Sequence, residues 1–249
     1  MKKVLLILIF SIFITSLYAG PADKIKSSGF INKNVRLVKG FEINDPKNKI
    51  IVIYNHGQNR NDSVKDCSWV SLLRNHASLI DKEVNGKKIM VYNLCSNHLR
   101  GDMSQGKDWW DLKPKPIVYK GKHILDKRVE LNLELIEKFV KAGVPRKQVF
   151  ITGHSCGGLT TLLFMTRYPE KVGGGISYMQ ACFGKLSHRF KVKKVGVEKA
   201  MAKFKKKDPG PHDLRQKMND EIKNNLKTPL LAFTHPKDKY EGLLSDWLE

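Results

Sequence analysis

Val149-Phe150-Ile151-Thr152-Gly153-His154-Ser155-Cys156-Gly157-Gly158-Leu159-Thr160-Thr161-Leu162-Leu163 is the stretch that decides the fold. Its first four residues are β-branched or aromatic, the composition of a buried strand. Its last six read as the start of a helix. Between them lies Gly153-x-Ser155-x-Gly157. That short pattern arises by chance, but the setting gives it meaning. A sharp turn from strand to helix lifts the central side chain above the sheet. Residues without side chains let the strand and the helix approach closely. Ser155 is therefore the candidate nucleophile. The backbone N–H of Cys156 is a candidate oxyanion donor, aided by the dipole of the helix that begins there. A thiolate is intrinsically the better nucleophile. One residue past the centre, however, the Cys156 side chain points elsewhere. It reads as a backbone donor, a packed small hydrophobe or half of a disulfide. A glycine-rich turn without chemistry is the plain alternative.

Outward from this turn the chain alternates strand-like and helix-like segments. Upstream, Leu125 to Ala142 is an amphipathic helix with Val129, Leu133, Ile136 and Val140 on one stripe. Gly143 and Pro145 mark its end. Lys88 to Leu94 and Lys49 to Tyr54 read as strands; the run Ile50-Ile51-Val52-Ile53 suits burial on both faces. Val64 to Asp81 is expected to be a helix with Val70, Leu73, Ala77 and Ile80 inward. Val35 to Ile43 is expected to be an edge strand. Downstream, Val172 to Met179 and Pro229 to Thr234 are strands, and His212 to Leu226 is a polar amphipathic helix. Such alternation predicts an α/β fold with a mostly parallel sheet and helices on both faces. Active groups in these sheets lie at the carboxyl ends of strands.

A second signal, Tyr54-Asn55-His56-Gly57-Gln58, directly follows the isoleucine-rich strand. With the turn at Ser155 it resembles the α/β-hydrolase family, which carries a His-Gly loop at this place. The resemblance runs from about Val35 to the C-terminus in segment order. It is nearest to the dienelactone hydrolase and depolymerase-type esterase branch, although dienelactone hydrolases place cysteine where Ser155 stands. The resemblance implies a serine hydrolase acting on carboxylic esters through an acyl-enzyme intermediate, without a cofactor. It also implies that the backbone N–H of Gln58 is the second oxyanion donor and that His56 is structural. Loss of one such donor costs about 3–4 kcal/mol in the transition state.

By the same resemblance Asp238, just past the strand ending at Thr234, is the candidate triad acid. Its role is to orient an imidazole and stabilise the imidazolium. The histidine expected after it is missing: residues 239–249 contain none and suggest no further strand. Three explanations stand open. The reading frame is truncated, so that the last strand and helix are missing; the protein binds a ligand without turnover; or another histidine, His154 or His235, serves. The first two are favoured, since His154 faces away from the oxygen in a regular turn and His235 lies too close to Asp238. Trp247 and Leu248, at the end of a helix-like segment from Leu243, are expected to lack an encoded partner surface.

The remaining features bound the setting. A chain of 249 residues with a 41% hydrophobic share holds enough apolar material for one core, which excludes a disordered chain. Lys2 and Lys3, the apolar run Val4 to Leu17, and Ala19-Gly20 form a signal-peptide layout over residues 1–19. Residues 20–249 are then the hydrolase-like domain, and the protein is exported, periplasmic or secreted. In an oxidising compartment the four cysteines allow three pairings; Cys67–Cys95 with Cys156–Cys182 is preferred. No metal-ligand spacing occurs. The formal net charge is +21, densest from Lys185 to Lys207. That charge suits an acidic surface or polymer, or simply solubility. Aromatics are too sparse there for single-stranded nucleic acid. The partners expected are thus a small-molecule ester and, through the basic surface, a polyanion. Ser96 to Lys122, with Trp109 and Trp110, reads as a substrate wall or as a packed surface loop.

Overall fold

The computed structural model describes residues 24–25, 27–57, 68–96, 118–119 and 122–248. Seven strands form one sheet: β1 (Gly29–Phe30), β2 (Lys49–Asn55), β3 (Glu83–Val84), β4 (Lys87–Leu94), β5 (Val149–His154), β6 (Gly174–Tyr178) and β7 (Leu230–Phe233). Their order is β7-β6-β5-β2-β4-β1, with β3 pairing β4. Every pairing from β7 to β4 is parallel; β1 and β3 join β4 antiparallel. The chain starts the parallel sheet at β2, moves to β4 on one side, then returns through β5, β6 and β7 on the other. The switch point, where ligands bind in such sheets, therefore lies between the carboxyl ends of β2 and β5.

Alternation along β2 divides the core. Ile51 and Ile53 join a large cluster on one face, while Val52 and Tyr54 join a smaller one on the other. The large cluster is covered by α2 (Ile124–Lys141), α3 (Cys156–Arg167), α4 (Val197–Lys207) and α5 (Pro209–Asn225). The smaller is covered by α1 (Val70–Ala77), through Leu73 and Ala77, with Ile80 just beyond it. Helices thus cover both faces. Arg167, at the end of α3, binds Glu221 of α5 through Nε and Nη2 and Asp126 of α2 through Nη1. Those ion pairs tie three helices together on the large face.

Cover on the α1 face fades toward β7. Strand register sets Ile176 beside Leu231 and Tyr178 beside Phe233. Leu231 is 58% exposed and Phe233 48%, although Phe233 stacks on Tyr178 at 5.2 Å.

Several expectations need correction. Val35 to Ile43 is not a strand; Gly29–Phe30 takes the edge instead. Asn32 Oδ1 accepts the backbone N–H groups of Asn34 and Arg36, and Val35 adopts φ 57°. That local side-chain capture folds the segment into a turn. The first helix is shorter than Val64 to Asp81. Ser68–Trp69 pairs antiparallel with Lys24–Ile25, and the helix occupies Val70–Ala77 only. Leu248 has a partner after all, packing on the large cluster from a 3₁₀ helix over Gly242–Leu248. The basic stretch is built into the core: Phe190, Val192, Ala200 and Phe204 are buried, while its lysines from Lys191 onward are exposed. The signal-peptide expectation, Cys67, Gln58, Trp109 and Trp110 all lie outside the described residues.

Candidate active site

Ser155 sits between β5 and α3 at φ 57° and ψ −121°. A residue other than glycine rarely holds positive φ, and doing so costs about 1–3 kcal/mol. The turn is pinned from both sides. Ser155 N–H donates to Tyr178 O at 3.0 Å, and Ser155 O accepts Leu159 N–H and Ala181 N–H. Gly157 is required by close approach. A Cβ there would overlap the Asn55 carbonyl and reach 2.8 Å from His56 O. The end of β2 is therefore pressed against the turn. Gly57 completes the arrangement: a Cβ on it would lie 3.1 Å from Ser155 Cβ. Gly57 thus lies beside the serine, and Gln58 lies outside the described residues.

A buried polar network holds the end of β2 in place. Asn55 and Asn132 exchange amide hydrogen bonds at 2.7 and 3.0 Å, and Asn132 Nδ2 also donates to Arg128 O. Arg128 Nη1 donates to His56 O at 3.1 Å. His56 Nε2 accepts the Ser96 backbone N–H at 3.1 Å. A backbone N–H can only donate, so Nε2 is the acceptor here, while Nδ1 faces Gly57 O and the Arg128 guanidinium. His56 is thus a fully engaged strut. Arg128 and Asn132 were not singled out from sequence. Their signal was available, since both fall on the inward stripe of α2 beside Leu125, Val129 and Ile136.

Ser155 Oγ donates to Ala181 O at 3.0 Å, and among the described residues no imidazole hydrogen-bonds it. Cys156, the first residue of α3, is joined to Cys182 by a disulfide, as preferred from sequence. This link holds Ala181, the acceptor of the serine hydroxyl, against the turn. Cys95 is also disulfide-bonded; its expected partner, Cys67, is not among the described residues. Replacing both Cys156 and Cys182 by serine is expected to lower unfolding free energy by about 2–4 kcal/mol. The urea midpoint measures it; an unchanged midpoint would show the link to be dispensable.

Asp238 lies on the turn after β7. Its Oδ2 accepts Glu241 N–H at 3.0 Å, so it also caps the start of the final 3₁₀ helix. Its carboxylate lies within electrostatic reach of His154. Burial outweighs that attraction and pushes the His154 imidazole below its ordinary range, keeping it neutral at pH 7. His235 is exposed and accepts Lys237 N–H. The structure therefore brings together Ser155, Cys156 and the His56-Gly57 loop, while Asp238 acts electrostatically on His154.

Beneath α1 lies a separate cavity of about 300 Å³, lined by Tyr54, His76, Leu79, His154, Tyr178 and Met179 among others. His76 meets Thr152 Oγ1 at 3.2 Å. The Tyr54 hydroxyl and His154 Nδ1 are buried without a hydrogen-bond partner among the described residues. Such an unmet group costs about 1–3 kcal/mol.

No protein-family model and no curated protein matches this chain. Among solved structures it is similar to an acetyl xylan esterase from Paenibacillus sp. R4, with 14% identity over 78% of this chain and 60% of that one, TM-score 0.41. It is similar to a phospholipase/carboxylesterase from Dyadobacter fermentans DSM 18053, with 16% identity over 92% and 99%, TM-score 0.38. It is also similar to an acylaminoacyl peptidase from Pyrococcus horikoshii, with 16% identity over 92% and 35%, TM-score 0.44. The chain spans less than two thirds of the first and third of these. All three TM-scores fall below 0.5, so the fold assignment stands on the chain's own strand order and turn. A parallel sheet that reverses between β2 and β5, with a serine at positive φ raised at that switch point, makes this chain an α/β-hydrolase in fold.

Proposed function

We propose that the chain is a serine hydrolase acting on carboxylic esters through an acyl-enzyme on Ser155. The observation that carries this reading is the strained conformation of Ser155 at the switch point. Strain of that kind persists where the surroundings enforce it and commonly serves a site. In this reading Ser155 Oγ attacks the ester carbonyl, and the N–H groups of Cys156 and Gln58 receive the negative charge that develops on oxygen. The alcohol leaves with a proton, and water then cleaves the acyl-serine. Asp238 would orient a base.

The hydroxyl bond to Ala181 O gives specific support to a second reading, in which the site binds a ligand without turning it over. With no imidazole among the described residues to accept its proton, the serine is a weak nucleophile at neutral pH. Removing a triad member elsewhere leaves a residual acceleration of roughly 10³–10⁴ over water.

A fluorophosphonate probe separates the two readings. The hydrolase reading expects slow covalent labelling of the full chain, abolished in Ser155→Ala. It also expects weak hydrolysis of 4-nitrophenyl acetate that falls to background in the same variant. Absence of labelling in the folded native chain supports the binding reading instead. Labelling that survives Ser155→Ala places the reactive group elsewhere and overturns the first.

A further inference from the structure

From the cavity beneath α1 we infer a second binding site, for a small uncharged aromatic molecule carrying a hydroxyl group. Ser155 itself does not line this cavity, although its neighbour His154 does. The site does not depend on whether that serine is reactive.

Three observations select the ligand class. The first is size: about 300 Å³ is at the lower end of small-molecule pockets and suits a single ring. The second is the wall. Tyr54 and His76 have ring centroids 4.8 Å apart, and His76 meets Tyr178 edge-on at 5.9 Å. Leu79 and Met179 add apolar wall that favours a flat ring, and Asn75 adds a polar amide to the lining. The third is polarity. Tyr54 is only 1% exposed, yet among the described residues its hydroxyl has no partner, and neither does His154 Nδ1. Both line the same cavity. A ligand hydroxyl, which both donates and accepts, supplies what the Tyr54 hydroxyl lacks.

Charge argues for a neutral ligand. Among the described residues no lysine or arginine lines the cavity. Burial raises the Tyr54 hydroxyl far above its usual range and lowers His154, so both are uncharged at pH 7. The nearby Asp238 carboxylate opposes an anion.

The test pairs p-cresol with toluene, which share a ring and a methyl group and differ by one hydroxyl. Each is titrated into the full chain and followed by NMR chemical shifts. p-Cresol is expected to bind about five- to tenfold more tightly than toluene, the effect of one neutral hydrogen bond. In Tyr54→Phe that preference is expected to collapse toward unity. The variant should melt at the native temperature or above it, because the deleted hydroxyl makes no bond. Leu79→Trp, at an exposed rim position, is expected to weaken both probes together. The proposal is overturned if folded native chain binds neither probe, if the preference survives in Tyr54→Phe, or if Leu79→Trp leaves both affinities unchanged. It is also overturned if Tyr54→Phe lowers the melting temperature, since the hydroxyl would then have a structural role.

Discussion

Gly157→Ala is expected to destabilise the chain by about 3 kcal/mol and to abolish any reactivity of Ser155 together with it. The added methyl group would meet backbone, not a flexible side chain: the Asn55 carbonyl and His56 O. Neither can withdraw easily. The Asn55 side chain is locked to Asn132, and His56 O holds Arg128. The turn must therefore move away from β2, and Ser155 moves with it. A urea midpoint and fluorophosphonate labelling read the two effects. A stability within about 0.5 kcal/mol of native, the range of ordinary surface changes, would mean that strand and helix are not pressed together there.

Arg215→Met is expected to cost about 3–5 kcal/mol. Arg215 and Glu241 are both buried, and the guanidinium binds the carboxylate through Nε and Nη2 while Nη2 also donates to Leu244 O. Removing the arginine strands a carboxylate away from water. The same change loosens the turn of the candidate acid, because the Glu241 backbone N–H donates to Asp238. Arg215→Met combined with Glu241→Leu should recover much of the loss, since no lone charge then remains buried. Chemical unfolding of the single and double variants checks this. A single-variant loss below about 1 kcal/mol would be that of a solvated surface pair.

Legibility in the sequence tracked how local the deciding interaction is. The turn at Ser155 could be read because strand, bend and helix follow one another within fifteen residues. The β-branched run of β2 and the stripe of α2 could be read for the same reason. The segment after β1 was misread because a single side-chain oxygen, on Asn32, outweighs the weak alternation from Val35 to Ile43. The first helix was overextended, since apolar spacing does not reveal that Ser68–Trp69 is claimed by Lys24–Ile25. Arg128 and Asn132 were passed over because counting apolar residues treats polar ones as outward. Here the inward polar pair serves the backbone of the His-Gly loop. The Cys156–Cys182 link followed from a preference that sequence alone could not decide.

Among the described residues β7 has a neighbour on one flank only. Leu231 to Phe233 are exposed, and the rungs of β7 should breathe before those of β2 or β5, which are laddered on both sides. Asp238 hangs from the far end of this peripheral strand, whereas Ser155 springs from an interior one. Fraying of β7 would thus shift the carboxylate relative to the serine without disturbing the serine itself, leaving the clamp on Glu241 as the tether that limits how far it drifts.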